Sequence, residues 1–594
     1  MNEHGAESVE RRPRIAALWR EQRARWTLPL VIIVIIGLVA IVDHLGSHRI
    51  SQLDDQSTSA LVPAAGGSAT VEFDRPWDGF NPNTPAGAAS TTPALLSAVL
   101  PSAYVMNAKM MPQVNSALLL SVEVTSTSPL TIQYVINPSA VWSDGVPFSA
   151  TDFIYAWQSQ SGGGVDADGQ PDQVASTLGY RDVSSVTPSH GGKTVTVVFS
   201  TPFTDWRVMF NDMVPAHIAS RVGWNHGFDT FNPAIDLSAG PLLVQSVSSK
   251  GTAVLVRNPK WWGVPSVLDK VTVNVAPDQA AWIQGLRDSN QTAAQPSRFD
   301  LDSLGLVSSL PNTQSVVKPS LDLLELDFNV NTPVTFRTVA REALAHAINR
   351  TELLQQTFGS IDPALVINQD HLAAASQSGY NQSSASGEYS AVDLAATDRL
   401  MKSIGYHKDS QGYYADGAGK RLMVRMAVES GDPWINQVAA EISAQLLRAG
   451  FGVVTVPVDG REGMEMASAT NAYDMALVNR TASPFETATA AWYSDGLGPA
   501  DSIGTQNWSH LDDPEVDQLF IQAAEALNPV DGAAIYAQID DQLWDQMVAL
   551  PLFQEPALVA NGVQLANVQY NASGAGIMWN VALWTLLKPG PPSH

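Results

Sequence analysis

One stretch of the sequence, residues 134–157 (YVINPSAVWSDGVPFSATDFIYAW), restricts the fold more than any other, because its hydrophobic period changes along its length. Its first part has apolar residues at even spacing, which can share one face of an extended segment: Tyr134, Ile136 and Trp142. Ser143-Asp144-Gly145 is typical of a tight turn, since Asp bonds its own backbone and Gly adopts positive φ. Ser149 or Thr151 can then begin a helix, whose apolar stripe would contain Phe153, Ile154 and Trp157. The stretch therefore predicts a strand, a turn and a helix packed together.

Two stretches of the second half predict particular elements. Residues 324–329 alternate between apolar and polar side chains, as expected of a half-buried strand. Residues 422–428, a helix through Leu447 and residues 450–456 predict a β-α-β unit with a right-handed crossover.

Length and composition limit the classes of function. A chain of 594 residues is too long for one hydrophobic core, so we expect two or three lobes. The formal net charge of −25 argues against nucleic acid as a partner, since phosphate binding requires clustered Lys and Arg. The sequence contains no cysteine, which excludes disulfides, thiolate metal sites and cysteine nucleophiles.

The N-terminus has the pattern of an exported protein. An uncharged apolar run, residues 28–42, follows a cluster of arginines between positions 11 and 25. Positive charge before such a run predicts residues 1–25 as a cytoplasmic basic segment and an extracytoplasmic body. Residues 26–43 would be a transmembrane signal anchor in the cell membrane, with secretion after signal cleavage as the alternative. Residues 44–68 are polar and small, which predicts a flexible linker.

Motifs of catalysis are missing from the sequence. It has no H-E-x-x-H, its histidines lack metal-ligand spacing, and it has no G-x-S-x-G. Gly191-Gly192-Lys193-Thr194 ends like a P-loop, but Thr187 occupies the position of the first glycine. We expect no catalytic residue, no metal site and no cofactor, so an extracellular hydrolase is the least favoured function.

Several motifs together point to a family. Trp142-Ser143-Asp144-Gly145 precedes Ser149-Ala150-Thr151-Asp152 at a helix start, and Arg257-Asn258-Pro259-Lys260-Trp261-Trp262-Gly263 follows later. The amphipathic segment from Phe336 to Arg350 and the stretch Ala549-Leu550-Pro551-Leu552-Phe553 complete the set. This set resembles, over residues 70–588, the family 5 extracytoplasmic solute-binding proteins, which are the oligopeptide- and dipeptide-binding subunits of ABC importers.

The resemblance implies an α/β fold with two lobes, of the type II periplasmic-binding-protein class that takes large peptides. Two crossing segments would join lobe I, residues 69–320, to lobe II, residues 321–549, and residues 550–594 would return to lobe I. An appended subdomain would occupy about residues 95–214. Such a protein is expected to be a monomer that closes on its ligand by a hinge and is recognised by ABC permease subunits. Members commonly have a lipid-modified cysteine, which this chain lacks.

The resemblance also suggests which residues line the ligand cleft. These are Phe80, Asn81, Tyr104, Ser238, Ala239, Gly240, Trp434 and, from the stretch 479–492, Asn479, Arg480, Glu486 and Trp492. Peptide-binding members commonly have an aromatic-x-x-D motif in lobe II, whose Asp receives the peptide ammonium. Here Arg480 is near that place and only Glu486 can substitute for the acid.

The ligand class stays open at this point. An arginine favours phosphate, carboxylate or sugar hydroxyls, although Arg480 can equally pair with a surface acid. An oligopeptide-like solute is the default. The alternative is a non-transport regulator or scaffold that binds a cell-envelope glycolipid or a membrane partner. The chain resembles the actinobacterial branch of the family, in which some members are labelled as binding phosphatidylinositol mannosides.

Overall fold

The predicted strand, turn and helix are present in the computed structural model, which describes residues 61–381, 385–494 and 506–589. The strand is Leu130–Ile136 and the helix Ala150–Gln160. The Ser149 hydroxyl accepts a hydrogen bond from the backbone N–H of Thr151, and the Asp152 carboxylate accepts the N–H of Ser149 at 2.9 Å. The same carboxylate accepts the indole N–H of Trp142, which is fully buried. The prediction for this segment is confirmed.

The described strands, in chain order, are β1 (Leu61–Ala64), β2 (Ser68–Phe73), β3 (Tyr104–Met106), β4 (Pro112–Val114), β5 (Leu119–Thr127), β6 (Leu130–Ile136), β7 (Val183–Ser189), β8 (Thr194–Phe199), β9 (Leu242–Val247), β10 (Ala253–Arg257), β11 (Lys270–Val275), β12 (Thr292–Ala294), β13 (Thr313–Phe328), β14 (His407–Lys408), β15 (Tyr414–Ala415), β16 (Met423–Glu429), β17 (Gly452–Val458), β18 (Met475–Thr481), β19 (Ala549–Gly562), β20 (Leu565–Ala566) and β21 (Thr585–Pro589).

The described α-helices, in chain order, are α1 (Pro85–Ala88), α2 (Thr92–Leu96), α3 (Ala150–Gln160), α4 (Ala216–Val222), α5 (Gln279–Asp288), α6 (Leu301–Ser308), α7 (Thr338–His346), α8 (Arg350–Thr357), α9 (Leu394–Ser403), α10 (Pro433–Ala449), α11 (Gly460–Ala469), α12 (Ala490–Tyr493), α13 (Pro514–Glu525) and α14 (Pro529–Gln546).

A ten-stranded sheet organises the molecule, with the order β17-β16-β18-β13-β19-β12-β2-β11-β10-β9. Its two long central strands, β13 and β19, pair antiparallel along most of their length. The register changes between Pro319 and Leu323, so each strand has one part on either side of the break. We call β9 to β12, β2 and the elements packed on them the first half, and β16 to β18 with their helices the second half.

The two halves have different architectures. The first half carries a separate antiparallel sheet, β5-β6-β8-β7, and its apolar cluster includes the buried Trp142, Trp224 and Trp584. The second half contains β16 and β17, which are parallel and joined by α10, so the predicted β-α-β unit is confirmed. Its apolar cluster also includes Trp282 of α5, and residues 61–588 form one compact unit.

The interpretation of residues 324–329 as a half-buried strand is wrong, because this part of β13 is buried on both faces. Glu325 is 3% exposed and Asp327 is fully buried. The guanidinium of Arg480 on the neighbouring strand β18 donates to Glu325 at 2.9 Å and also to Asp327. Burial raises the pKa of Asp327 to about 7, although Arg480 opposes the shift. The alternating residues therefore give the strand one apolar face and one face with charged side chains, and both faces are buried.

The predicted N-terminal segments, residues 1–25 and 26–43, lie outside the described residues, as does most of the predicted linker. The end of that linker, residues 61–64, forms β1, and Ser68 begins β2. Among the described residues, no helix combines the length and apolar character required to cross a bilayer. The predicted lobe and subdomain boundaries remain predictions.

Removing Arg480 tests the buried charged face. Arg480→Met would leave Glu325 and Asp327 buried beside each other without their cation. We expect the free energy of unfolding to fall by about 3–5 kcal/mol, measured by denaturant titration. Arg448→Met is the matched control, because Arg448 pairs with Glu441 while 58% exposed, and such pairs contribute at most about 1 kcal/mol. Equal stability of the two variants would contradict the structural role of Arg480.

Candidate functional site

A cavity of about 380 Å³ lies where β13 and β19 change register. Its wall comes mostly from the first half and from the two long strands, and Thr481 is the lining residue that the second half contributes. Side chains with polar groups dominate the lining, and those used below are Asp74, Arg75, Ser297, Asp322, Thr481 and Tyr570. We call it the central cavity. A concave space of this size with several polar groups is typical of a small-molecule site.

A second cavity of about 320 Å³ lies at the carboxyl ends of the parallel strands β16, β17 and β18. Glu429, Val458 and Asn479 come from those strand ends, and Arg461 comes from the first turn of α11. In the order β17-β16-β18, the crossover from β16 to β17 and the crossover from β17 to β18 run in opposite directions across the sheet. Open α/β sheets bind ligands at such a switch point. Thr481 lines both cavities, so this strand-end cavity adjoins the central cavity.

One buried carboxylate joins three parts of the chain beside these cavities. Glu555 of β19 accepts hydrogen bonds from Arg298, which follows β12, and from the amide of Asn479 at 3.0 Å. Arg298 also pairs with Asp432, the residue before α10, at 3.1 Å. Burial raises the pKa of Glu555 to about 7, with Asp322 and Asp432 adding to the shift and Arg298 opposing it. Four carboxylates act on the Arg298 guanidinium, those of Glu555, Asp432, Asp322 and Glu429, so acids outnumber cations around it.

The halves also touch through residues that belong to neither long strand. Asp205, from the loop after β8, accepts hydrogen bonds from the backbone N–H of Thr487 at 3.1 Å and from its hydroxyl at 2.7 Å. The N–H of Thr204 donates to the carbonyl of Ala524 in α13 at 2.7 Å. Met110 packs against an apolar cluster of the second half.

Six of the residues predicted to line the cleft lie within the first half, and none of these six lines the central or the strand-end cavity. Phe80 and Tyr104 are buried, and the amide of Asn81 donates to the carbonyl of Trp224 at 3.2 Å. Ser238 is fully buried, with its hydroxyl 2.6 Å from the carbonyl oxygen of Leu242. Its neighbours Ala239 and Gly240 share this turn, where a Cβ on Gly240 would lie 2.3 Å from the carbonyl oxygen of Ala98. These residues shape the backbone, and their contact with ligand stays a prediction.

The other predicted residues are spread over the second half. Asn479 and Arg480 line the strand-end cavity, but Arg480 already pairs with two acids. One of the two interpretations expected such pairing, but with a surface acid, whereas Glu325 and Asp327 are buried. Trp492 is buried under that guanidinium, 5.2 Å from it. Trp434 lines a separate cavity of about 340 Å³ and donates to the carbonyl of Phe299 at 2.8 Å. Glu486 lies next to Thr487, at the contact with Asp205.

Sequence reasoning missed Asp322, Glu555 and Tyr570. The signal was present for one of them, because Gln554-Glu555 interrupts an apolar strand that is otherwise uncharged. A buried polar pair in such a strand requires partners, so it marks a place where other polar groups converge. Across the described ranges 61–381, 385–494 and 506–589, no group of three His, Cys, Asp or Glu side chains is placed to hold a metal ion.

Comparison with known proteins agrees with this architecture. The family model described as "Bacterial extracellular solute-binding proteins, family 5 Middle" matches residues 113–501. The oligopeptide-binding protein OppA of Mycobacterium tuberculosis is 27% identical over 495 residues, which cover 81% of this chain and 78% of that protein. The probable monoacyl phosphatidylinositol tetramannoside-binding protein LpqW of the same organism is 23% identical over 587 residues, covering 85% and 89%.

Solved structures confirm the predicted two-lobed α/β fold of type II periplasmic binding proteins. The periplasmic EDTA-binding protein EppA superposes with a TM-score of 0.79 at 24% identity, covering 90% of this chain and 99% of that one. The oligopeptide-binding protein AppA from Bacillus subtilis, in complex with a nonapeptide, superposes with a TM-score of 0.69 at 16% identity, covering 89% and 100%. Because the family model matches more than half of the sequence, the chain belongs to the family 5 bacterial extracellular solute-binding proteins, which bind a solute rather than transform it.

Proposed function

We propose that this protein captures an oligopeptide-like solute in the central and strand-end cavities, and delivers it to an ABC importer. The observation that supports this most is the composition of the central cavity, because both halves and both long strands contribute to its wall. A ligand there touches both halves at once, so its binding energy can favour a closed arrangement. A shift from mostly open to mostly closed requires the ligand to favour closure by about 5.5 kcal/mol.

The lining is suited to a peptide backbone. The hydroxyl oxygens of Ser297 and Thr481, whose protons are donated to Asp74 and Asp322, can accept from peptide N–H groups. The hydroxyl of Tyr570 can donate or accept. Asp322 and the excess of carboxylates favour a cationic end or side chain over an anionic one. OppA, which covers most of this chain, is named for oligopeptide binding, and this supports the same class of ligand here.

A cell-envelope glycolipid is the second candidate, with the protein as a regulator or scaffold. The hydroxyl-rich lining of the central cavity is equally suited to sugar hydroxyls, and Arg75 supplies a cation for a phosphate. The name of LpqW refers to a mannosylated phosphatidylinositol, and that protein covers 85% of this chain. We rank this candidate second because acids outnumber cations in the lining of the central cavity and around Arg298.

Partners and location follow from the same proposal. We propose that ABC permease subunits recognise the ligand-bound protein, which acts as a monomer. Residues 26–43 would hold the extracytoplasmic body at the cell membrane, because the sequence has no cysteine for a lipid anchor. Nucleic acid is not expected as a partner at a net charge of −25.

Identification of the co-purifying solute tests the ligand class. The full chain, purified in mild detergent from its native host and then denatured, should release peptides of several residues that mass spectrometry can sequence. Glycosylated lipid in place of peptides would overturn the oligopeptide proposal in favour of the second candidate. Absence of any bound small molecule in repeated preparations would count against both.

Blocking the junction of the two cavities tests the location. Thr481→Trp adds a large ring where the central and strand-end cavities meet. We expect the co-purified solute to fall by about tenfold or more, which corresponds to about 1.4 kcal/mol of binding energy. Since Thr481 is exposed, the free energy of unfolding should change by only about 0.5 kcal/mol.

Thr455→Trp is the matched control for this variant. Thr455 is an exposed threonine on β17, a strand of the same sheet, and it lines neither cavity. Its solute content should equal that of the unmodified protein. Equal solute content in both variants would move the binding site elsewhere.

A further inference from the structure

Asp205 and Thr487 form a hydrogen-bonded contact between the two halves. Asp205 precedes a short 3-10 turn at Trp206–Val208 in the first half. Thr487 lies in the 3-10 turn Glu486–Thr489 of the second half. The carboxylate receives both the backbone N–H and the hydroxyl of Thr487. Two hydrogen bonds to one ionised acceptor are stronger than neutral ones, so this single pair can bias how the halves sit together.

Glu486 places a second acid beside this junction. Burial raises its pKa to about 7, and the carboxylates of Asp205 and Asp370 add to the shift. Burial, with the charges of Asp205 and Glu486, also raises the pKa of Tyr536 on α14, whose buried hydroxyl has no hydrogen-bond partner among the described residues. Burial also raises the pKa of Asp205, while Thr487 and the nearby Arg207 oppose that shift. Ionised Glu486 therefore faces like charge across the junction.

We infer that Asp205 and Thr487 form a latch that holds the two halves closed, and that ionisation of Glu486 releases it. The inference rests on the proposed function, since it supposes that the halves separate about β13 and β19. It goes beyond the proposed function, because three residues away from the two cavities would control how long the solute is retained. These residues are Asp205, Glu486 and Thr487. Loss of the latch lowers the closed population, and the apparent affinity falls by the same factor.

The direction of the pH effect follows from the two pKa values. In the closed arrangement the pKa of Glu486 is about 7, and in the open one we expect it to return towards 4.5. Between these values the closed form binds more protons than the open form. Raising the pH therefore favours opening by up to about tenfold per pH unit, and the effect levels off above pH 7.

Distances between the two halves report whether the latch is closed, and they can be measured without any ligand. The chain has no cysteine, so spin labels can be placed at two introduced ones, Leu120→Cys on β5 and Val530→Cys on α14. These side chains are 61% and 75% exposed. Pulsed electron paramagnetic resonance on the full chain in detergent, at about pH 5 and about pH 8, brackets the pKa of Glu486. We expect the short-distance population to be larger at the lower pH.

Three variants separate the parts of the inference. Asp205→Ala should lose most of the short-distance population at both pH values. Thr487→Val keeps the backbone N–H and should give an intermediate loss. Glu486→Gln mimics the protonated acid and should keep the short distance at both pH values, which isolates Glu486 from other buried acids such as Glu555. Asp168→Ala is the control, since this exposed acid of the first half bonds only a neighbouring backbone N–H.

Failure of the latch and failure of the proposed function give different results. Unchanged distances in Asp205→Ala, with solute still lost in Thr481→Trp, would overturn the latch and leave solute capture standing. A pH effect that persists in Glu486→Gln would overturn the role of Glu486. A single unchanging distance in every variant, with no solute recovered from any of them, would overturn both.

Discussion

The antiparallel pairing of β13 with β19 is the interaction on which the other features of this structure depend. Its register changes between Pro319 and Leu323, so the regular ladder is interrupted there. Side chains replace the lost bonds: Ser320 donates to the carbonyl of Glu555 at 2.9 Å, and Gln554 donates back to the carbonyl of Ser320. Backbone groups that are buried must be satisfied, and this exchange satisfies them without closing the space. The central cavity is the space that remains.

Buried cations fix the start of β19 in the second half. Arg341 donates to the carbonyl of Met547 at 2.9 Å, and Arg350 donates to that of Pro551 at 2.7 Å. His371 lies 2.8 Å from a carboxylate oxygen of Asp540 and 3.2 Å from the carbonyl oxygen of Ala549. Both of its ring nitrogens face acceptors, which favours the charged imidazolium. Burial opposes that form, but the hydrogen bond and charge of Asp540 raise the pKa of His371 overall. These groups fix the start of β19 to the second half.

Local structure was predictable where short-range rules decide it. The turn and capped helix at residues 143–160 follow from Asp-Gly and Ser-x-x-Asp signals, and the β-α-β unit follows from its hydrophobic periods. The burial of both faces of β13 at residues 324–329 was not predictable, because the partner of Glu325 and Asp327 is Arg480. Arg480 lies on β18, which pairs with β13 but is distant in sequence. The same holds for Glu555, whose partners Arg298 and Asn479 are distant in sequence.

The predicted cleft residues that belong to family motifs lie in buried turns of the fold and not in the walls of the two cavities. Ser238, Gly240 and Asn81 belong to conspicuous motifs, and the structure places them in tight buried turns where backbone geometry admits few alternatives. Groups that face the cavities, such as Asp322 and Tyr570, lie outside any motif. One fold can carry sites for different ligands, so a motif that identifies the fold does not by itself identify the groups that contact a ligand. Contact of these buried residues with ligand therefore stays a prediction, and the side chains of the cavity walls are the other candidates to test.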